Sequence, residues 1–463
     1  LYGCRSCKGL AYRAYIITII ITTTTFTTLT TNQQPLQLKM LQRKTAPEFK
    51  TIDHINLVRP SHQKLANGCN VFCFNSGDTD LVRIEWIFGN ERFDPGKPLL
   101  NMAVNTMLTE GTHTLTSSQI ADKIDFYGAF LQVEYGHDHS EVVLYSLTKH
   151  LPHTLPVILD ILTGSIFPEK ELETYKRNQQ QKLQVSLQKN DYVARRAFNK
   201  ALYGDTIYGL CAEPDDYNSL NRDDMLAHFR QMYQPSNCTL LVAGKINRET
   251  FNLVIETFSG WENAARKADT SQPGLHPSAE HFYFTEKPDA LQSAIRMGRA
   301  TINRTHHDFP ALQVLNTVLG GYFGSRLMAN IREDKGYTYG IGSGMSSLKQ
   351  SGALFIATEV GADVCRAAVT EIEKEINLLR NQLIPDAELS LVRNFMLGSL
   401  LGSLENVFSH ADKFKNLYFS GLDYDYYDFY IDTIKTVTAS QLQQLAVQYL
   451  NLDEFYKVIV GKY

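Results

Sequence analysis

The sequence predicts an α+β fold in which one unit is written twice. Three observations carry that expectation: strand-period alternation early in each half, amphipathic helices following it in the same order, and a matching hydrophobic strand closing each half. In the first half, Asp80 to Gly89 (DLVRIEWIFG) places Val82, Ile84, Trp86 and Phe88 on one face, the period of a half-buried strand. Leu99, Leu100, Ala103, Met107 and Leu108 then recur at helical spacing, and Gly111 stops the run. A short helix is expected at Ser118 to Phe126, a hairpin from Ala129 to Leu147, and longer helices at Leu151 to Leu162 and Glu169 to Gln188. Pro168 and an acidic first turn mark the last of these.

The second half repeats the order: a strand at Leu291 to Met297, a helix at Ala311 to Leu319, a glycine-rich strand pair, and a helix at Ala362 to Gln382. Asn237 to Ile246 and Glu454 to Lys462 are hydrophobic strands with a Gly-Lys at their ends, one closing each half. Glu262 to Glu280 holds Gly, Pro, Ser and charge with few large apolar residues, which is a linker composition. Two similar sheet-and-helix halves on such a linker would enclose a cleft, although periodicity alone does not separate a working chamber from an incidental one.

The composition is that of a globular protein. Of 463 residues, 43% are hydrophobic and 20% charged, with a formal net charge of −4. These values exclude disorder, collagen and coiled coil, and give no electrostatic reason to expect nucleic acid or an anionic membrane as partner. The 7 cysteines, at 4, 7, 69, 73, 211, 238 and 365, are too scattered for a disulfide framework. Cys4 and Cys7 form a lone CxxC without a second pair to complete a metal site.

Residues 1–39 read as a non-native leader or a disordered tail ahead of Met40, the first methionine. Ile16, Ile17, Ile19 to Ile21, Phe26 and Leu29 behind Arg5, Lys8 and Arg13 imitate a secretory signal, but threonines dilute the apolar run and a small-x-small cleavage site is missing. A start at Met40 implies a cytoplasmic protein, and a genuine signal in 1–39 would imply a periplasmic or exported one.

Leu319 to Tyr339 reads LGGYFGSRLMANIREDKGYTY. This resembles the "LGG, SRL, R, KG, Y" signature of the pitrilysin/insulinase metallopeptidases, including the mitochondrial processing peptidase subunits. With the duplication, NTMLTEGT and ALYGDTIYG, the resemblance covers nearly all of Met40 to Tyr463. It implies two homologous α/β rolls facing each other like a clamshell, with an N-terminal roll at 47–262, a linker at 263–280 and a C-terminal roll at 281–463.

The resemblance also implies an H-x-x-E-H motif on the first helix of the active half. There two histidines grip zinc from one helix face, a glutamate deprotonates the bound water, and a distant glutamate completes the ligands. Anchored on Met107, Leu108, Gly111 and Thr112, this chain has Met102 and Thr106 at the histidine positions and Asn105 at the glutamate. The family's spacing puts Lys182 at the distant ligand. None reproduces its counterpart, and an ammonium repels a divalent cation, so no zinc is expected at these degenerate positions.

What the resemblance leaves intact is an arginine and tyrosine pair, Arg332 and Tyr339, which in the family holds the substrate backbone and stabilises the oxyanion. A guanidinium stays charged at every relevant pH and a phenol is a directional donor. Taken singly, Arg332 reads as a solvated helix end and Tyr339 as a core aromatic. Tyr337 is expected on the same strand face as Tyr339, as a substitute phenol.

Other metal candidates are weak. His137 and His139 are expected on one strand face with Asp138 opposite, while His150 with His153 and His306 with His307 are pairs lacking a convergent third ligand. Gly320, Gly321 and Gly324 lack a P-loop lysine, and no GxSxG is present. Cys69 and Cys73 read as small packing residues.

The expected function is therefore a non-metal-binding subunit of a heteromeric zinc metalloendopeptidase. A homologous partner would carry HxxEH and the zinc, and this chain would supply Arg332 and Tyr339 to a peptide or unfolded-protein substrate. It would be inactive alone, with no catalytic residue and no cofactor of its own. The alternatives are a non-catalytic peptide-binding or structural assembly protein, and an autonomous hydrolase with a metal relocated to His137 and His139.

Overall fold

Both sheets have the same strand order, and it is the pattern of a duplicated unit. The computed structural model describes residues 52, 55–263 and 274–463. The expected leader, the Cys4 and Cys7 pair and most of the linker lie outside the described residues. The first half runs β1 (Ser61–Lys64), β2 (Asn70–Asn75), β3 (Leu81–Gly89), α1 (Leu100–Thr106), α2 (Ser117–Asp125), β4 (Phe130–Tyr135) and β5 (His139–Leu147). Helices α3 (Leu151–Gly164), α4 (Glu169–Leu187), α5 (Asn190–Tyr203), α6 (Pro214–Asn218) and α7 (Arg222–Met232) follow, then β6 (Cys238–Gly244) and α8 (Arg248–Ser259).

The second half runs β7 (Phe282–Glu286), β8 (Gln292–Thr301), α9 (Phe309–Asn316), β9 (Ile341–Ser347) and β10 (Gly352–Gly361). It ends with α10 (Cys365–Asn381), α11 (Asp386–Gly402), α12 (Val407–Tyr418), α13 (Asp425–Thr436), α14 (Ala439–Tyr449) and β11 (Tyr456–Gly461). Two π-helical segments, Thr317–Gly321 and Met328–Asp334, lie between α9 and β9.

The first sheet is ordered β1-β2-β6-β3-β5-β4 and the second β7-β11-β8-β10-β9. Apart from the edge strand β1, the orders coincide. Each sheet has one parallel pair, β2 with β6 and β7 with β11, and the strands beyond it are antiparallel.

Alternation decides which residues meet which core. Val82, Trp86, Leu240 and Val242 face the helices of their own half, and Ile295, Met297 and Ile459 do the same in the second sheet. The opposite faces are covered by an exchange of helices. Phe72, Phe74, Leu241 and Ala243 pack on Val407, Ala411 and Phe414 of α12, a helix of the second half. Reciprocally, Ala294, Val458 and Val460 of the second sheet pack on Phe198, Ala201 and Leu202 of α5, a helix of the first. Strand β3 is therefore buried on both faces rather than half-buried, which corrects the reading of its alternation.

That burial catches two charged side chains. The Arg83 guanidinium donates to Asp412 of α12 at 2.7 and 3.2 Å and to the Phe408 carbonyl at 3.0 Å. Lys415 of α12 donates to Glu85 and Glu141, both at 2.8 Å. Burial alone would discharge the Lys415 ammonium, but the two carboxylates outweigh it and raise its pKa. A seam of alternating charge thus stitches α12 to β3 and β5.

No helix among the described residues is long and apolar enough to cross a membrane.

Candidate functional site

The degenerate zinc positions begin on α1, which is held between β4, β5 and α7. Asn105 is 1% exposed, and its amide nitrogen donates to the Glu141 carbonyl at 3.4 Å. Thr106 spends its hydroxyl on the Met102 carbonyl at 2.8 Å, and Met102 packs its thioether against the first-half core. Tyr233 lies within reach of Asn105 and Tyr175 within reach of Thr106. Burial raises the pKa of both phenols, so they stay neutral and cannot serve as phenolate ligands. Lys182 is exposed on α4, and it is Tyr175, two turns earlier, that reaches α1. A neutral amide, a committed hydroxyl, a thioether and an outward ammonium do not fit a zinc ion, which takes thiolate, imidazole or carboxylate.

Arg332 sits in the π-helical segment Met328–Asp334, a geometry frequent at functional positions. The segment is pinned on both sides. Asn330 donates to Glu371 and Glu375 of α10 at 2.9 and 2.7 Å, and Arg326 makes a two-pronged pair with Glu388 of α11 at 2.9 and 2.8 Å. The Arg332 guanidinium lies over the exposed Phe323 ring, 4.7 Å from its centroid. Tyr339 is 93% exposed, which overturns its reading as a core aromatic.

Nor do Tyr337 and Tyr339 share a strand face. Thr338 bonds the Gly340 carbonyl and amide, a local turn that delays strand pairing until Ile341. Tyr337 is instead half-buried against the second core, so it is not a substitute for Tyr339. Among the described residues, no hydrogen bond, ion pair or ring contact joins Arg332 or Tyr339 to Met102, Asn105, Thr106 or Lys182.

The other candidates resolve structurally. His137 packs on Tyr208 and His139 on Phe419, with centroids 5.9 and 4.0 Å apart, so the two rings diverge and do not form a ligand pair. Asp138 accepts the Tyr208 hydroxyl at 2.6 Å and the Lys349 amide at 2.9 Å. His150 and His153 both pack against Tyr127. His306 and His307 do have a third neighbour, Asp308, which the sequence reading missed because it adjoins them at the start of α9. Its oxygens are engaged by Tyr449 at 2.7 Å and by His307 at 2.9 Å, and His306 accepts the Asp308 amide at 3.1 Å. Gly320 answers to packing rather than to phosphate: a Cβ there would stand 2.5 Å from the Ser343 nitrogen.

A cavity of about 520 Å³ opens where the halves meet, lined by Gly89, His139 and Asn237 from the first and Asn303, Lys349 and Phe419 from the second. Burial lowers the pKa of His139 to about 4 against the pull of Asp138, with Lys349 and Lys415 assisting, and burial beside Arg92 lowers that of His228 to about 4. The unfolded chain binds protons on both rings below about pH 6.5, whereas the folded chain resists until about 4. Stability therefore falls as pH drops through that window. Urea midpoints at about pH 7 and about pH 5 are expected to show the decline, and His228→Gln to flatten it.

The fold is a clamshell of two homologous sheet-and-helix halves, and its first half carries degenerate residues at the positions the resemblance assigns to a metal. Residues 219–396 match the family model described as the peptidase M16 inactive domain, in agreement with the pitrilysin/insulinase resemblance. It is 28% identical to the uncharacterized zinc protease YmxG of Bacillus subtilis over 75% of this chain and 85% of that one. It is 24% identical to an uncharacterized zinc protease of Rickettsia bellii over 74% and 84%. Among solved structures, a peptidase M16 inactive domain from Pseudomonas fluorescens superposes with a TM-score of 0.79 at 21% identity, covering 87% of this chain and 98% of that one. A protease from Helicobacter pylori does so at 0.80 and 17%, covering 88% and 100%. A chain of complex III2 from Candida albicans shares the fold at 0.70 and 11%, covering 87% and 95%.

Proposed function

We propose that this chain is the zinc-less subunit of a two-chain M16 endopeptidase, offering Arg332 and Tyr339 to peptide bound at a homologous partner that carries HxxEH. The observation that carries the reading is the contrast between the two half-sites. The degenerate zinc positions Met102, Asn105 and Thr106 are committed inward, while Tyr339 stands 93% exposed beside a pinned segment whose arginine lies over an exposed aromatic ring. A side chain held in position yet unused by its own fold is available to a ligand.

The experiment is complementation. The purified chain alone is expected to hydrolyse no unfolded-protein substrate, and hydrolysis is expected to exceed that of either component when an HxxEH-bearing homologue is added. Full activity of the isolated chain, with stoichiometric zinc, would sink the reading. A second reading, a non-catalytic assembly protein, is favoured by the shared fold with a chain of complex III2. It expects peptide binding or complex formation with no gain in hydrolysis on mixing.

A further inference from the structure

The second half holds the duplicate of the degenerate zinc site, and there it is open. Asn105-Thr106-Met107-Leu108 recurs as Asn316-Thr317-Val318-Leu319, which aligns Gln313 with Met102. The same back-bond recurs too: Thr317 donates to the Gln313 carbonyl at 2.8 Å, as Thr106 does to Met102. Helices α4 and α11 both start after a proline, Pro168 and Pro385, and counted from there Ser399 stands where Lys182 does. Gln313, Asn316, Thr317 and Ser399 all line one cavity of about 260 Å³. It adjoins a second cavity of about 180 Å³, with Gln313, Leu400, Lys413 and Tyr430 forming walls of both. In the first half, the corresponding ground is filled by buried phenols.

The charge of this double cavity is one-sided. Lys413 and Arg304 line it, and no carboxylate does. Asp412, next to Lys413 on α12, is turned the other way and bound to Arg83. The Arg304 guanidinium donates to the Asn416 carbonyl at 3.3 Å, and its Nε is buried without a partner among the described residues. Lys413 is half-buried, and burial followed by the charge of Arg304 lowers its pKa against the pull of Asp412. Two adjacent cations whose one nearby carboxylate, Asp412, is already bound to Arg83 are stabilised by a ligand that brings another. Met345, Phe395 and Met396 make the far wall apolar.

We propose that this double cavity binds a carboxylate attached to an apolar residue, with Arg304 and Lys413 holding the charge and Met345, Phe395 and Met396 the side chain. The carboxylate comes from a peptide C-terminus or from an acidic side chain. The site lies wholly in the second half and stands whether or not Arg332 and Tyr339 touch a peptide.

Titration calorimetry on the full chain tests it, with acetyl-Ala-Ala-Leu as free acid, its C-terminal amide, an amidated peptide containing glutamate, and inorganic phosphate. The free acid is expected to bind at least tenfold tighter than its amide. Equal binding of the glutamate peptide would support the site with a side chain as source. Lys413→Met is expected to weaken the free acid at least tenfold. Ser399→Asp, at an exposed rim position that does not challenge folding, is expected to do the same by repulsion. Indifference to both substitutions, equal binding of acid and amide, or tighter binding of phosphate overturns the assignment.

Discussion

Lys415→Met is expected to lower the unfolding free energy by about 3–5 kcal/mol, the usual cost of removing one partner from a buried ion pair. The reason lies in what remains. Glu85 and Glu141 are 3% and 16% exposed, and each accepts from the same ammonium at 2.8 Å. Without it, two neighbouring carboxylates share a dry seam with only Arg83, 2.6 Å from Glu85, to compensate. Burial already raises the Glu141 pKa even with Lys415 present, so the orphaned carboxyl would take up a proton readily. The deficit is therefore expected to shrink as pH is lowered toward 5, a trend opposite to that of the buried histidines. Urea unfolding at several pH values measures both effects. The triple replacement with Glu85→Leu and Glu141→Leu is expected to recover most of the loss, because an apolar seam needs no counter-ions. A single-variant loss below about 1 kcal/mol would mean that water reaches the seam.

This seam was the part of the fold least legible in the sequence. Arg83 and Glu85 alternate with Val82, Ile84 and Trp86, and a charge on the off-beat of a strand ordinarily marks a solvent face. Nothing in the local pattern says that a helix more than 300 residues away, α12, will cover that face with an aspartate and a lysine placed to meet them. Strands β3 and β6 and helices α1 to α4 and α10 were legible because each reports its own periodicity, whereas α5 to α8 and α11 to α14 were not read, and the duplication was legible because both halves run in the same order. Family spacing identified Arg332 and Tyr339, yet the exposure of Tyr339 depends on the Thr338 turn, a hydroxyl-to-backbone contact that no periodicity records. Asp308 and the second-half cavity escaped notice for a related reason: convergence in space leaves a trace in sequence only where a motif is already known.

Arg332→Ala and Tyr339→Phe are each expected to lower kcat of the two-chain mixture by about 10²–10³, the range for losing one preorganised donor to an oxyanion. The two substitutions test different physics. Removing the phenolic hydroxyl leaves an exposed ring, so Tyr339→Phe alters a single donor and leaves stability almost untouched. Arg332→Ala removes a charge and also frees Phe323, but the segment keeps its anchors through Asn330 and Arg326. If both donors act in the transition state, kcat falls while KM holds, and the double variant falls short of the product of the single effects because the two act on one oxygen. If they only hold substrate backbone, KM rises and kcat stays, since uniform binding does not lower the barrier. If neither parameter moves while the mixture remains active, the partner binds peptide without this chain's second half, and Arg332 and Tyr339 are surface residues.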